Sequence, residues 1–148
     1  MKSSVNHAVV CLSLSIFCGL IGCKKDIGPV VREESVLRDI TVETSAAMIE
    51  ENNTNPRFVI LDVRTPAEFA TGHIKNATNI DFRSKSFRDD LSTLTKSDVY
   101  LVCCRSGGRS RSALEMMKAL DFRSVFNMLG GITAWKAQNY PIEGAANN

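Results

Sequence analysis

The chain has no block of like charge: 18 Lys and Arg stand against 16 Asp and Glu, a formal net charge of +2 over 148 residues. Without a Lys/Arg stripe, nucleic acid is not an expected partner. No internal repeat is present, which excludes solenoid and propeller architectures. The uncharged run Ala8 to Leu20 is too short and too rich in serine for a comfortable membrane span. What remains is a globular composition, 44% hydrophobic and 23% charged, in a length that holds one ordinary domain.

The first segment stands apart from that domain. Lys2 gives a positive start, and Ala8 to Leu20 (AVVCLSLSIFCGL) fits the hydrophobic region of a signal peptide. It ends in Leu20-Ile21-Gly22-Cys23, which resembles the lipobox of bacterial lipoproteins. The resemblance implies cleavage before Cys23 and diacylation of that cysteine. The chain then divides into a signal peptide (1–22), a lipidated cysteine with a polar tether (23–35), a domain (36–143) and a short tail (144–148). Two or three acyl chains suffice for stable anchoring, so the membrane is an expected partner through Cys23. The expected place is the bacterial cell envelope, facing the periplasm. Lys24 stands where Asp would retain an enteric lipoprotein at the inner membrane, which favours the outer one. With Cys11 and Cys18 removed and Cys23 lipidated, Cys103 and Cys104 are the remaining thiols. Adjacent cysteines close only a strained ring, so no disulfide framework is expected, and a free thiol in an exported protein needs a chemical reason.

Strands and helices alternate after the tether. Arg38 to Val42 reads as a first strand, and a helix capped at Thr44 or Ser45 follows through Glu50. Phe58 to Val63 is an apolar, β-branched run of the kind covered on both faces. Thr65-Pro66 supplies an N-cap and a first-turn proline for a helix to about Ala70, ended by Gly72. Ala77 to Ile80 is a short strand, and Phe87, Leu91 and Leu94 recur at helical spacing across Ser86 to Leu94. Val99 to Cys103 is a second buried strand. Ala113, Leu114, Met117 and Leu120 mark one face of a helix from Ser110 to Leu120. Ser124 to Asn127 and Ile132 to Gln138 complete the pattern as strand and helix. Such alternation implies an α/β domain with a mostly parallel sheet of about five strands.

The loop Cys104-Arg105-Ser106-Gly107-Gly108-Arg109 lies between the Val99–Cys103 strand and the following helix, at the carboxyl end of a strand where open α/β sheets bind ligands. Two glycines let the backbone curl so that successive N–H groups point inward as an anion nest. The helix adds its positive end, and Arg105 and Arg109 add full charges. A thiol in that field is expected to be a thiolate at neutral pH, so the loop combines a nucleophile with an oxyanion cradle.

Cys104 to Ser110 resembles the Cys-Arg-Ser-Gly-x-Arg-Ser run of single-domain rhodaneses, with Gly108 at the variable position. Three further signatures of that family stand in order. They are Asp62-Val63-Arg64 with Glu68-Phe69, then Gly72-His73-Ile74 with Ala77 and Asn79-Ile80, then Leu129-Gly130-Gly131-Ile132 with Trp135. Asn76 occupies a turn position where the family usually has glycine. The resemblance runs from about residue 37 to 143 and implies a three-layer α/β/α rhodanese-like domain. It also implies a sulfurtransferase of the thiosulfate sulfurtransferase type. Cys104 would take sulfane sulfur from thiosulfate or a persulfide and pass it to cyanide or a thiol, with no metal or organic cofactor. Arg105 and Arg109 would hold the anionic donor, and the amides of Ser106, Gly107, Gly108 and Arg109 would cradle the persulfide. Asp62, Arg64, Glu68 and Ser110 would support the loop.

Other readings stay open at this point. Cys103, followed after five residues by Arg109-Ser110, satisfies the cysteine-phosphatase pattern, also used by arsenate reductases, with Val102 where those phosphatases usually place His. A non-catalytic binding or redox-sensing rhodanese module is a further alternative. Cys103 itself reads as a core residue. Arg109 has two readings, substrate contact or a structural pair with Asp62 or Glu68. His73 and Trp135 read as packing residues.

Overall fold

A computed structural model describes residues 35–144. The expected signal peptide, Cys23 and its lipid, nearly all of the tether and the end of the tail lie outside the described residues. The elements are Val36–Ile40 (β1), Val42–Glu51 (α1), Phe58–Asp62 (β2), Pro66–Ala70 (α2), Thr78–Asn79 (β3), Phe87–Ser92 (α3), Val99–Cys103 (β4), Gly108–Ala119 (α4), Ser124–Met128 (β5) and Gly131–Ala137 (α5).

The five strands form one sheet in the order β1-β5-β4-β2-β3, and every neighbouring pair is parallel. The two-residue side-chain period of a strand sorts β4 between two cores. Tyr100 and Val102 turn to one face and pack with Phe87 and Leu91 of α3 and Ala113, Leu114 and Met117 of α4. Leu101 and Cys103 turn to the other, against Val42 and Met48 of α1 and Ile132 and Trp135 of α5. Helices therefore cover both faces, and this is why β2 and β4 read as continuous apolar runs rather than alternating ones. Cys104, one residue beyond the strand, returns to the α4 face.

Several boundaries differ from the sequence reading, and those at the start of α1 and of α4 have a local reason. The first strand ends at Ile40, because Val42 is buried as the first residue of α1. Thr41 caps that helix, its Oγ1 accepting the amide of Thr44 at 3.2 Å. Ser45, one of the expected caps, instead donates back to the carbonyl of Thr41 at 2.8 Å. With three hydroxyl residues in five positions, the burial of Val42 decides which one caps. At α4 the helix begins at Gly108, two residues before Ser110, so Arg109 and Ser110 already belong to its first turn. Asn76 has φ +62°, a left-handed value that asparagine tolerates better than other side chains, so the turn keeps the shape glycine would give it.

Candidate active site

The carboxyl ends of β2 and β4 lie side by side, with Asp62 opposite Cys103 in register and the amide of Val63 bonded to the Cys103 carbonyl at 2.9 Å. The chain leaves β4 through Cys104 and turns into α4 at Gly107, whose φ of +99° is the left-handed conformation that glycine adopts at little cost. A Cβ at Gly107 would also stand 3.3 Å from the amide nitrogen of Gly130. This turn folds the loop back over its own first residue. The Gly107 amide donates to Cys104 Sγ at 3.2 Å, and the Ser110 hydroxyl lies 3.3 Å from the same sulfur. That hydroxyl is also 3.1 Å from the Gly107 carbonyl, and a negative charge on sulfur would favour the sulfur as its acceptor.

The electrostatics of the two thiols differ. Burial pushes the Cys104 thiol up, but the Ser110 hydroxyl and the amides of Ser110, Ser106 and Gly107 together outweigh it, and the pKa lies below the ordinary thiol value. The donors are hydrogen-bonding groups at the start of a twelve-residue helix, where the dipole also favours an anion. Cys103 has the opposite balance: complete burial, followed by the Asp62 carboxylate, pushes its pKa well above the ordinary value. It sits fully buried in the core beneath the sheet, as the sequence reading has it.

Beneath the loop, Asp62 and Arg64 form a buried fork, with Arg64 Nε at 2.9 and 3.0 Å and Nη2 at 2.6 Å from the carboxylate. Arg64 Nη2 also donates to the Gly72 carbonyl at 2.9 Å, and the Asn79 side-chain amide donates to the carbonyls of Asp62 and Arg64, each at 2.8 Å. Three separated sequence blocks are thereby tied into one frame. Glu68 closes the side of it. Its carboxylate completes a capping box with Thr65 at the start of α2 and takes both terminal nitrogens of Arg109 at 2.7 and 2.6 Å. Chiefly through Arg109, against the opposing pull of burial, Glu68 is held down at about 2. Of the two readings for Arg109, the structure therefore contains the structural pair, with Glu68 as the partner rather than Asp62.

A further support has no counterpart in the sequence reading. The first amides of α5 donate to the loop backbone: Ile132 N to the Cys104 carbonyl at 2.8 Å and Thr133 N to the Arg105 carbonyl at 3.1 Å. The approach is close enough that a Cβ on Gly131, whose φ is +54°, would stand 2.3 Å from the Cys104 carbonyl oxygen. Gly130 and Gly131, at the start of α5, stand together in the sequence, but only the fold brings them to Cys104.

Set against known proteins, residues 41–138 match the rhodanese-like domain. The chain belongs to that family. It is 34% identical over 90 residues to thiosulfate sulfurtransferase GlpE of Pseudomonas putida, a match covering 61% of this chain and 79% of that protein. It is 24% identical over 134 residues to adenylyltransferase and sulfurtransferase uba4 of Ogataea parapolymorpha, covering 88% of this chain but only 30% of the larger protein. In three dimensions it is similar to a rhodanese-related protein of Thermoplasma volcanium, with a TM-score of 0.60 and 32% identity over 72% of this chain and 98% of that one.

The rhodanese-like loop opens beside a shallow cleft of about 340 Å³, lined by Arg64, Glu68, Thr71, Arg105, Thr133 and Lys136 among others. Two larger hollows, of about 560 and 670 Å³, lie along α1 and include neither cysteine. None of the three is lined by a cysteine, and the smaller cleft is the relevant one because its lining includes Arg105, the residue next to Cys104. His73 stacks on Phe69 with ring centroids 3.7 Å apart, and buried Trp135 donates to the Pro141 carbonyl at 2.9 Å, so both are packing residues. Among the described residues, no group of His, Cys, Asp and Glu is arranged to hold a metal ion. No helix among them is long and apolar enough to cross a membrane.

Proposed function

We propose that this rhodanese-like chain is a sulfurtransferase that carries sulfane sulfur on Cys104. The observation that carries the reading is the placement of Sγ at the start of α4, with the Gly107 amide and the Ser110 hydroxyl directed at it. The names of its relatives, among them thiosulfate sulfurtransferase GlpE, support the same chemistry. The Cys104 thiolate attacks the outer sulfur of thiosulfate. The S–S bond of the donor breaks, its electron pair leaves with sulfite, and Cys104 becomes a persulfide. An acceptor, cyanide or a thiol, then attacks the outer sulfur and returns the electron pair to Sγ. The loop amides and the helix dipole hold the negative charge on sulfur at both stages, in a geometry set before the reaction begins. Arg105, exposed at the loop, meets the anionic donor, while Arg109 is held by Glu68 and frames the loop.

The test is thiosulfate:cyanide sulfurtransferase activity of wild type, Cys104→Ser and Cys103→Ala. Activity should vanish only with Cys104, and wild type incubated with thiosulfate should gain one sulfur atom on Cys104 that cyanide removes. Activity lost with Cys103→Ala in a folded protein, or an inactive wild type, would refute the proposal.

The envelope assignment belongs to the same proposal. Residues 1–22 would direct export and be removed, Cys23 would carry the lipid, and the stretch to residue 35 would tether the domain at the periplasmic side of the membrane, the outer one by Lys24. Expression of the full chain with a radiolabelled fatty acid should label the wild type in the membrane fraction and leave Cys23→Ala unlabelled; label on both would sink the assignment.

A further inference from the structure

The cleft beside the loop carries more positive charge than its surroundings neutralise. Its lining carboxylate, Glu68, is bound by Arg109, and the lining Arg64 is matched by buried Asp62. Two lining cations remain. Neither Arg105 nor Lys136 makes an ion pair or a side-chain hydrogen bond with another described residue, and both are exposed. Lys136 lies three residues after Thr133 on α5, so the ammonium and the hydroxyl belong to one helical face. That face adjoins the reacting residue, because the Thr133 amide is bonded to the carbonyl of Arg105, the residue next to Cys104. The volume also exceeds what cyanide or thiosulfate needs: about 340 Å³ falls in the range of sites for small organic ligands.

We infer that this cleft is an acceptor subsite for a small organic thiol bearing a carboxylate, with Lys136 and Arg105 binding the carboxylate and Thr133 beside them. The inference rests on the sulfurtransferase reading and names its acceptor class. The acceptor thiolate attacks the outer sulfur of the Cys104 persulfide. A new S–S bond forms on the acceptor, the Cys104–sulfur bond breaks with its electron pair returning to Sγ, and an organic persulfide leaves. No oxidant or reductant enters.

The experiment uses the full chain, loaded with sulfur from thiosulfate, freed of excess donor, and discharged in single turnovers to 3-mercaptopropionate or to 2-mercaptoethanol. The readout is the ratio of the two rate constants, in which differences in loading cancel. Lys136→Ala should lower the ratio of charged to neutral acceptor by about two- to fivefold, the range of a solvent-exposed ion pair. Lys136→Glu should lower it further and raise the rate with cysteamine, whose amine carries the opposite charge. Added salt should shrink the wild-type preference. A ratio unchanged in both variants, or both thiols slowed alike, would overturn the subsite. A wild type that cannot be loaded from thiosulfate refutes the sulfurtransferase reading instead. A wild type that loads and discharges to cyanide, with a ratio indifferent to Lys136, refutes only the subsite.

Discussion

Gly131→Ala probes the contact between α5 and the loop, because the added methyl meets loop backbone rather than a side chain able to rotate away. Its Cβ would lie 2.3 Å from the Cys104 carbonyl oxygen and 2.7 Å from the carbonyl carbon and oxygen of Arg105. Ordinary contact begins at 3.4 Å, so the loop and α5 must separate by about 1 Å. Separation weakens the two bonds from Ile132 N and Thr133 N that hold the loop carbonyls. Forcing a methyl into a closed contact costs about 1–3 kcal/mol. A left-handed φ costs an alanine roughly 1–2 kcal/mol more. Against a domain stability of about 5–15 kcal/mol the protein still folds. Its chemistry should suffer more, since a misplacement of about 1 Å costs on the order of a hundredfold in rate. Steady-state thiosulfate:cyanide kinetics, read well below a melting temperature measured by circular dichroism, should show kcat/KM down by about 30- to 100-fold in a folded protein. A folded Gly131→Ala with activity within about threefold of wild type would show that α5 does not position Cys104.

Two further perturbations separate the groups that act on the sulfur from those that frame it. Ser110→Ala removes a donor that lowers the Cys104 pKa, so the pH midpoint of Cys104 alkylation by iodoacetamide should move up. Transfer by this variant should be most impaired at low pH and approach wild type as pH rises; an unmoved midpoint would exclude the hydroxyl as a stabiliser of the thiolate. Glu68 is depressed from 4.5 to about 2 in the folded chain, so its stabilisation is complete above about pH 4.5 and is lost as pH falls through about 2. Solvent screens this partly exposed pair, which limits it to about 0.2–1 kcal/mol. Urea unfolding of Glu68→Gln should fall short of wild type at neutral pH by that amount, with the gap closing near pH 2. A gap that persists at low pH would assign the loss to packing rather than charge.

The sheet was legible because the neighbouring interior strands β2 and β4 are covered on two faces and therefore read as apolar runs; Val99–Cys103 is found at its expected bounds. Element ends were less legible where side chains of similar chemistry compete. Thr41, Thr44 and Ser45 can each cap α1, and only the packing of Val42 selects Thr41. Glycines also misled at α4. Gly107 and Gly108 look alike in the sequence, yet Gly107 alone takes the left-handed value, and Gly108 enters the helix. In the site, local pattern located the loop, whereas the choice between Asp62 and Glu68 as the partner of Arg109 had to come from the fold. Glu68 reaches Arg109 across 41 positions. The Thr65-x-x-Glu68 spacing of a capping box was the available signal for one half of its role, and nothing local marked the other half.

The separation of duties around Cys104 follows from what each group is bonded to. A guanidinium already held by a carboxylate has little left to offer a new anion, since its charge is compensated and its donors are in use. Arg109 is in that position on Glu68, and Arg64 on Asp62. Stabilisation of the sulfur instead falls to groups that cannot move away with a departing substrate, the loop amides and the Ser110 hydroxyl. They are fixed by the turn at Gly107 and by α5. Arg105 and Lys136, cations without partners among the described residues, are then left to select what approaches. On this division, substitutions in the loop frame should act on the pH dependence of every transfer alike, whereas substitutions at Lys136 should act on the choice among acceptors.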